Sequence, residues 1–220
     1  VKLEVKIRNK SQQKQDIQVE TELFDASGKK VANAKTDQLQ LDSLISLNQQ
    51  FQVKSPALWS TDNPVLYNAV TKIYANGELT DRYETPFGIR YFKFDPAKGF
   101  FLNGKPLKIL GMNNHHDLGA LGAAVNTRAI ERQLEILKEM GCNAIRMSHN
   151  PPAPELLDLC DRMGFIVMDE IFDSWAVKKM KFDYHVEWPE WHVRDLSDMV
   201  LRDRNHPSVF MWSIGNEIRE

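Results

Sequence analysis

The apolar residues of this 220-residue chain change period partway along it, and no other feature constrains the fold as much. Up to about Phe94 they alternate. Leu3, Val5 and Ile7 fall on one side of an extended segment with Lys2, Glu4, Lys6 and Arg8 on the other, the pattern of a half-buried strand. It recurs at Ile17, Val19, Thr21 and Leu23, before the turn Asp25-Ala26-Ser27-Gly28-Lys29. It returns near Gln50 to Val53, Leu66 to Tyr74 and Leu79 to Tyr83. Asn76-Gly77 predicts a hairpin between the last two, because a type I′ turn needs positive φ at both central residues. Short strands without helical stretches predict an antiparallel β-sandwich over residues 1–94, with its first strand expected to lie outside the chain.

The second pattern begins after Asp95-Pro96-Ala97-Lys98-Gly99, whose composition reads as a linker. Asn103-Gly104 predicts another hairpin between 100–102 and 105–106, and an apolar strand follows over 107–112. Ile130, Leu134, Leu137 and Met140 recur at helical spacing over 127–140, ended by Gly141. A strand at 143–147, a helix at 154–163 closed by Gly164 and an apolar strand at 165–168 come next. A long loop then leads to a helix at about 190–204, striped by Val193, Leu196 and Val200, and to a strand at 209–214. Strand and helix alternating in this way predict a parallel sheet over 95–220.

Composition narrows the partners. Lys and Arg total 28 against 30 Asp and Glu, a formal charge of −2. Without a block of five like charges the chain lacks the footprint of a nucleic-acid or anionic-membrane binder. No apolar run approaches the ~18 residues of a membrane span. A neutral small molecule is the expected partner. Hydrophobic residues make up 42% of the chain, enough for a core without staples, so Cys142 and Cys160 are expected as free thiols.

Every strand of the second half ends in polar residues, where parallel α/β folds gather their chemistry. Asn113-Asn114-His115-His116-Asp117 closes the first, Arg146-Met147-Ser148-His149-Asn150 the second, Asp169-Glu170 the third and Asn216-Glu217 the fourth. A carboxylic acid on a rigid strand end, preceded by an amide that hydrogen-bonds a hydroxyl, suits acid/base work on a glycosidic oxygen. The same dipeptide also suits a helix start, with Asn as cap. Trp175 and Trp212 suit stacking on a sugar ring, Trp212 equally a core position. A buried Arg146 needs a carboxylate, and Asp169 or Glu170 would serve. His115-His116 invites a metal reading, but neighbours in an extended segment face opposite ways, so only one would join His149.

These residues also form a known pattern. Phe100-Phe101-Leu102-Asn103-Gly104-Lys105-Pro106, Gly111-Met112-Asn113-Asn114-His115, Arg146-Met147-Ser148-His149-Asn150-Pro151 and Asp203-Arg204-Asn205-His206-Pro207-Ser208 through Trp212-Ser213-Ile214-Gly215-Asn216-Glu217 resemble glycoside hydrolase family 2. His115 to Ala124 is similar to its β-galactosidase-type members. In the first half Leu58-Trp59-Ser60, Asp62 to Tyr67 and Phe87-Gly88-Ile89-Arg90 resemble the end of the family's immunoglobulin-like domain.

The resemblance implies an immunoglobulin-like β-sandwich followed by a partial (β/α)8 TIM barrel. It also implies a retaining mechanism with Glu217 as acid/base, after the fourth strand, and a nucleophilic Glu after the seventh, outside this chain. His115, His149, Asn216, Asp117 and Trp175 are then the expected substrate contacts, and Arg146, Asp169 and Glu170 the supporting network. No metal or cofactor is expected: members that hold magnesium use a Glu and a His after the third strand, where this sequence has Asp173-Ser174-Trp175. Half a barrel is expected to be inactive alone and to self-associate through its open face. A metal-dependent barrel hydrolase and a non-catalytic carbohydrate-binding protein of the same ancestry are the competing readings.

Overall fold

The structure, a computed structural model, describes residues 1–11 and 13–218. By compactness it divides into two units, one made of Val1–Ala57 with Val65–Ile89 and the other of Leu58–Pro64 with Arg90 onward.

The first unit is all β. Its strands are β1 (Lys2–Arg8), β2 (Gln15–Phe24), β3 (Lys30–Lys35), β4 (Leu39–Leu41), β5 (Leu44–Gln50), β6 (Tyr67–Ala75) and β7 (Glu78–Phe87). β1 pairs with β5 in one sheet, and β3-β2-β6-β7, with β4 also on β2, form the other. The inward residues of the two sheets pack together: Ile7 from β1, Ile17 and Val19 from β2, Leu41 from β4. Alternation along β2 is strict, with Ile17, Val19, Thr21 and Leu23 buried. This is the immunoglobulin-like sandwich. Asn76 (φ 51°) and Gly77 (φ 87°) make the anticipated turn. The strand anticipated at 50–53 is instead β5, ending at Gln50, and β3 and β4 went unread.

In the second unit β8 (Phe92–Asp95), β9 (Gly99–Leu102) and β10 (Lys105–Pro106) form a small antiparallel sheet. Asp95-Pro96-Ala97-Lys98-Gly99 is therefore no linker. It turns the β8–β9 hairpin, with Asp95 paired to Gly99 and its carboxylate accepting from the N–H groups of Ala97 and Lys98. Next come β11 (Gly111–His115), α1 (Thr127–Glu139), β12 (Ala144–Ser148), α2 (Pro154–Met163), β13 (Ile166–Glu170), α3 (Trp188–Asp203) and β14 (Val209–Ser213). The four strands β11-β12-β13-β14 are parallel and lie in sequence order, the arrangement of a barrel that is not closed.

Local chemistry explains the helices. Asn126 caps α1 by accepting from the Ala129 N–H, and Gly164 closes α2 at φ 74°. Ile130 and Leu134 of α1 and Leu157 and Leu159 of α2 bury against Ile145, Met147 and Val167 on one face of the sheet. Two stripe residues fall outside the core. Met140, the C-cap of α1, is 65% exposed and Val193 is 64% exposed, because α3 buries Met199 and Asp203 instead.

Candidate active site

Because Ile145, Met147 and Val167 face the helices, the intervening Arg146, Met168 and Glu170 face the other way, into the barrel side. Glu170 is fully buried there. Arg146 grips it through Nε (3.0 Å to Oε2) and Nη2 (3.0 and 2.9 Å), and the same Nη2 donates to Asn216 Oδ1 at 2.9 Å. His149 Nδ1 lies 2.6 Å from Glu170 Oε1, and Ser213 Oγ donates to Oε2 at 2.6 Å. Burial acts to raise the Glu170 pKa, but donation from Ser213, His149 and Arg146 outweighs it and holds the carboxyl below its ordinary value. An ionised carboxylate only accepts, so the shared proton belongs to His149 Nδ1 and Nε2 is the ring's remaining polar atom. The His115 ring meets His149 edge-on, with centroids 5.3 Å apart.

Asn216 is held from several sides. Its N–H donates to Phe172 O at 2.9 Å, its side-chain amide to Asp173 Oδ1 at 3.0 Å, and its carbonyl accepts from Lys179 Nζ at 2.6 Å. Glu217 follows it directly, exposed, at φ 46°. A cleft of about 420 Å³ opens beside His149 and Asp173, bordered by Phe172, Tyr184 and Arg202.

Three expected residues make other contacts than those anticipated. Asp169 does not support Arg146. It alternates with Glu170 and so points to the helix side, fully buried, where burial and the neighbouring Asp203 carboxylate push its pKa up to about 8. Asp117 accepts from the Gly119 N–H and shapes the turn after β11. Trp175 stacks on Trp188 and donates to Ile214 O at 2.8 Å, so one ring face and its N–H serve the loop. Among the described residues Asp158, Asp161 and His206 have spacing suited to a cation. Asp161 already accepts from His206 and from the Ser208 N–H, which ties it to the fold.

Sequence reasoning missed Ser213, Asp173 and Lys179 as members of the site. Ser213 was legible from register, since it pairs with Glu170 across β13 and β14. Lys179 sits in an irregular loop where no period exists to flag it.

The strand ends of the half-barrel converge on one buried carboxylate, and the comparisons give the family. The chain belongs to glycosyl hydrolase family 2: the family model for "Glycosyl hydrolases family 2, TIM barrel domain" matches residues 96–219 and that for "Glycosyl hydrolases family 2" matches residues 1–90. Beta-galactosidase BoGH2A of Bacteroides ovatus is 60% identical over 213 residues, covering 96% of this chain and 25% of that protein. Beta-glucuronidase of Mus musculus is 34% identical over 205 residues, covering 91% of this chain and 30% of that protein. A crystal structure of a family 2 member from Bacteroides cellulosilyticus superposes with TM-score 0.95 at 40% identity, covering all of this chain and 28% of that one. The chain thus spans about a quarter of the length of the relatives it matches.

Proposed function

We propose that this chain is the central part of a retaining β-glycosidase, with Glu217 as general acid/base and galactose as the preferred sugar. One observation carries the reading. Arg146 and His149 from the end of β12 and Asn216 from beyond β14 are tied together around Glu170 of β13, and Asn216 hands the chain directly to Glu217.

Retaining hydrolysis needs two carboxyl groups about 5–5.5 Å apart. Glu217 protonates the glycosidic oxygen as the aglycone leaves and the sugar passes to the nucleophile, then takes a proton from the water that hydrolyses the glycosyl-enzyme. The nucleophile comes from a later strand. Glu170 is unsuited to that part, because its oxygens already accept from Arg146, His149 and Ser213. Its role is to fix Arg146, and through it Asn216, whose second amide hydrogen is left for a sugar hydroxyl. Identity to a named β-galactosidase supports galactose over glucuronate.

The test is kinetic. The full-length enzyme is expected to turn over aryl β-galactosides faster than aryl β-glucuronides. Glu217→Gln is expected to lose roughly 10²- to 10⁴-fold on phenyl glycosides, whose leaving group needs a proton, and far less on dinitrophenyl glycosides. Equal losses on both would reject Glu217 as the acid. Preference for the glucuronide would reject the sugar assignment alone.

A further inference from the structure

The loop between β13 and α3 grips the segment that carries Glu217 at four points. Phe172 O accepts the Asn216 N–H, and Trp175 Nε1 donates to Ile214 O. Asp173 Oδ1 accepts from the Asn216 amide, and Lys179 Nζ donates to the Asn216 carbonyl. Lys179 also reaches Asp173 Oδ1 at 3.2 Å. The grip is close. A Cβ on Gly215 would come within 2.9 Å of Trp175 Nε1 and 2.4 Å of Ile218 Cδ1, so a side chain there would have to displace both.

The loop is itself braced. Asp183 accepts from the N–H groups of Lys179 and Met180 through Oδ2 and from that of His185 through Oδ1. These donors hold its carboxyl well below the ordinary range. Phe172 stacks on Tyr184, and Trp175 and His192 stack on Trp188. The backbone of Lys179 is therefore fixed, and its side chain, only 17% exposed, has little freedom left.

Glu217 needs such support. A residue other than glycine at φ 46° costs about 1–2 kcal/mol and persists only where its surroundings dictate it. The Asn216 carbonyl belongs to the peptide plane that sets the Glu217 N–Cα direction, so a cation fixed on that oxygen controls where the acid points.

We infer that Lys179 is a positioning residue for the acid/base step: by holding the Asn216 carbonyl, with Asp173 holding the Asn216 amide, it aims the Glu217 carboxyl at the leaving oxygen. The inference rests on the assignment of Glu217 above. A group that only stabilised the fold would lower all activities alike, whereas a group that aims the acid matters most where a proton must be delivered.

The experiment uses the full-length enzyme with Lys179→Met, Lys179→Arg and Glu217→Gln, assayed on phenyl and dinitrophenyl glycosides of the sugar it hydrolyses, with Tm recorded for each. Lys179→Met is expected to lose roughly 10- to 100-fold in kcat on the phenyl glycoside and little on the dinitrophenyl one. Lys179→Arg, which keeps the charge and the donors, is expected to recover most of the loss. A loss in Lys179→Met that is equal on both substrates, or absent, while Glu217→Gln shows the unequal pattern, overturns the inference alone. Equal losses in Glu217→Gln overturn the assignment of the acid and the inference with it.

Discussion

The two faces of the four-stranded parallel sheet each bury a carboxyl from β13, one peptide bond apart, and shift their pKa values in opposite directions. On the barrel side Glu170 meets a guanidinium, an imidazole N–H and a hydroxyl, and its pKa is lowered. On the helix side Asp169 meets burial and a second carboxylate, Asp203, which Arg202 already holds through both oxygens at 2.6 and 2.7 Å. Burial, and then the charge and hydrogen bond of Asp203, raise the Asp169 pKa to about 8. Burial is the largest single influence on both and raises both. The neighbours set the difference: at Glu170 the donors together outweigh desolvation, and at Asp169 a like charge adds to it.

The largest expected effect comes from breaking the barrel-side cluster. Glu170→Ala leaves Arg146 and His149 without their acceptor and is expected to destabilise the chain by about 3–5 kcal/mol in urea unfolding. A loss under about 1 kcal/mol would mean that the two faces are energetically alike. Next is the pH dependence. The Glu170 contribution is present above the ordinary Glu value and is lost as pH falls through its lowered pKa. That of Asp169 has the reverse sign: it is fully present below the ordinary Asp value of 3.8 and is lost as pH rises toward about 8. Asp169→Asn is therefore expected to change stability little near pH 4 and to raise it increasingly up to about pH 8. An unchanged slope over that window would place Asp169 in the same class as Glu170. The smallest effect is Ser213→Ala, which removes one of the donors to Glu170 and should cost about 1.5 kcal/mol, read as a shift in denaturant midpoint without a change in slope.

Much of this comparison was open to sequence reasoning. Two consecutive residues of a strand cannot face the same side, so Asp169 and Glu170 were bound to separate, and only one of them was available to Arg146. The parallel strands, α1 and α2 were legible because their periods are strong and their caps, Asn126 and Gly164, are chemically distinct. β3 and β4 were not, because Lys30–Lys35 carries only small or single apolar residues and Leu39–Leu41 is three residues long, too short for a period to show. The Asp95–Gly99 stretch misled because a tight hairpin turn and a linker draw on the same residues. The grip on Asn216 was invisible for a different reason. It joins Asp173, Trp175 and Lys179 to a strand some forty residues away, and irregular loops carry no period from which such a contact can be read.

The short segment Leu58–Pro64 has consequences for how this chain can be rearranged. It lies within the stretch that otherwise builds the sandwich, yet it packs in the barrel unit. Trp59 is fully buried there, its Nε1 donating to Asp161 O at 2.8 Å. A Cβ on Gly164 would lie 2.3 Å from Thr61 O, so this backbone approach leaves no room for a side chain. The polypeptide therefore passes from one unit to the other three times, at 57, 64 and 89. A single cut near residue 90 would separate Trp59 from the unit in which it is buried. Substitutions at Trp59 are expected to be felt in the unit that holds Asp161 rather than in the strands that flank Trp59 in sequence.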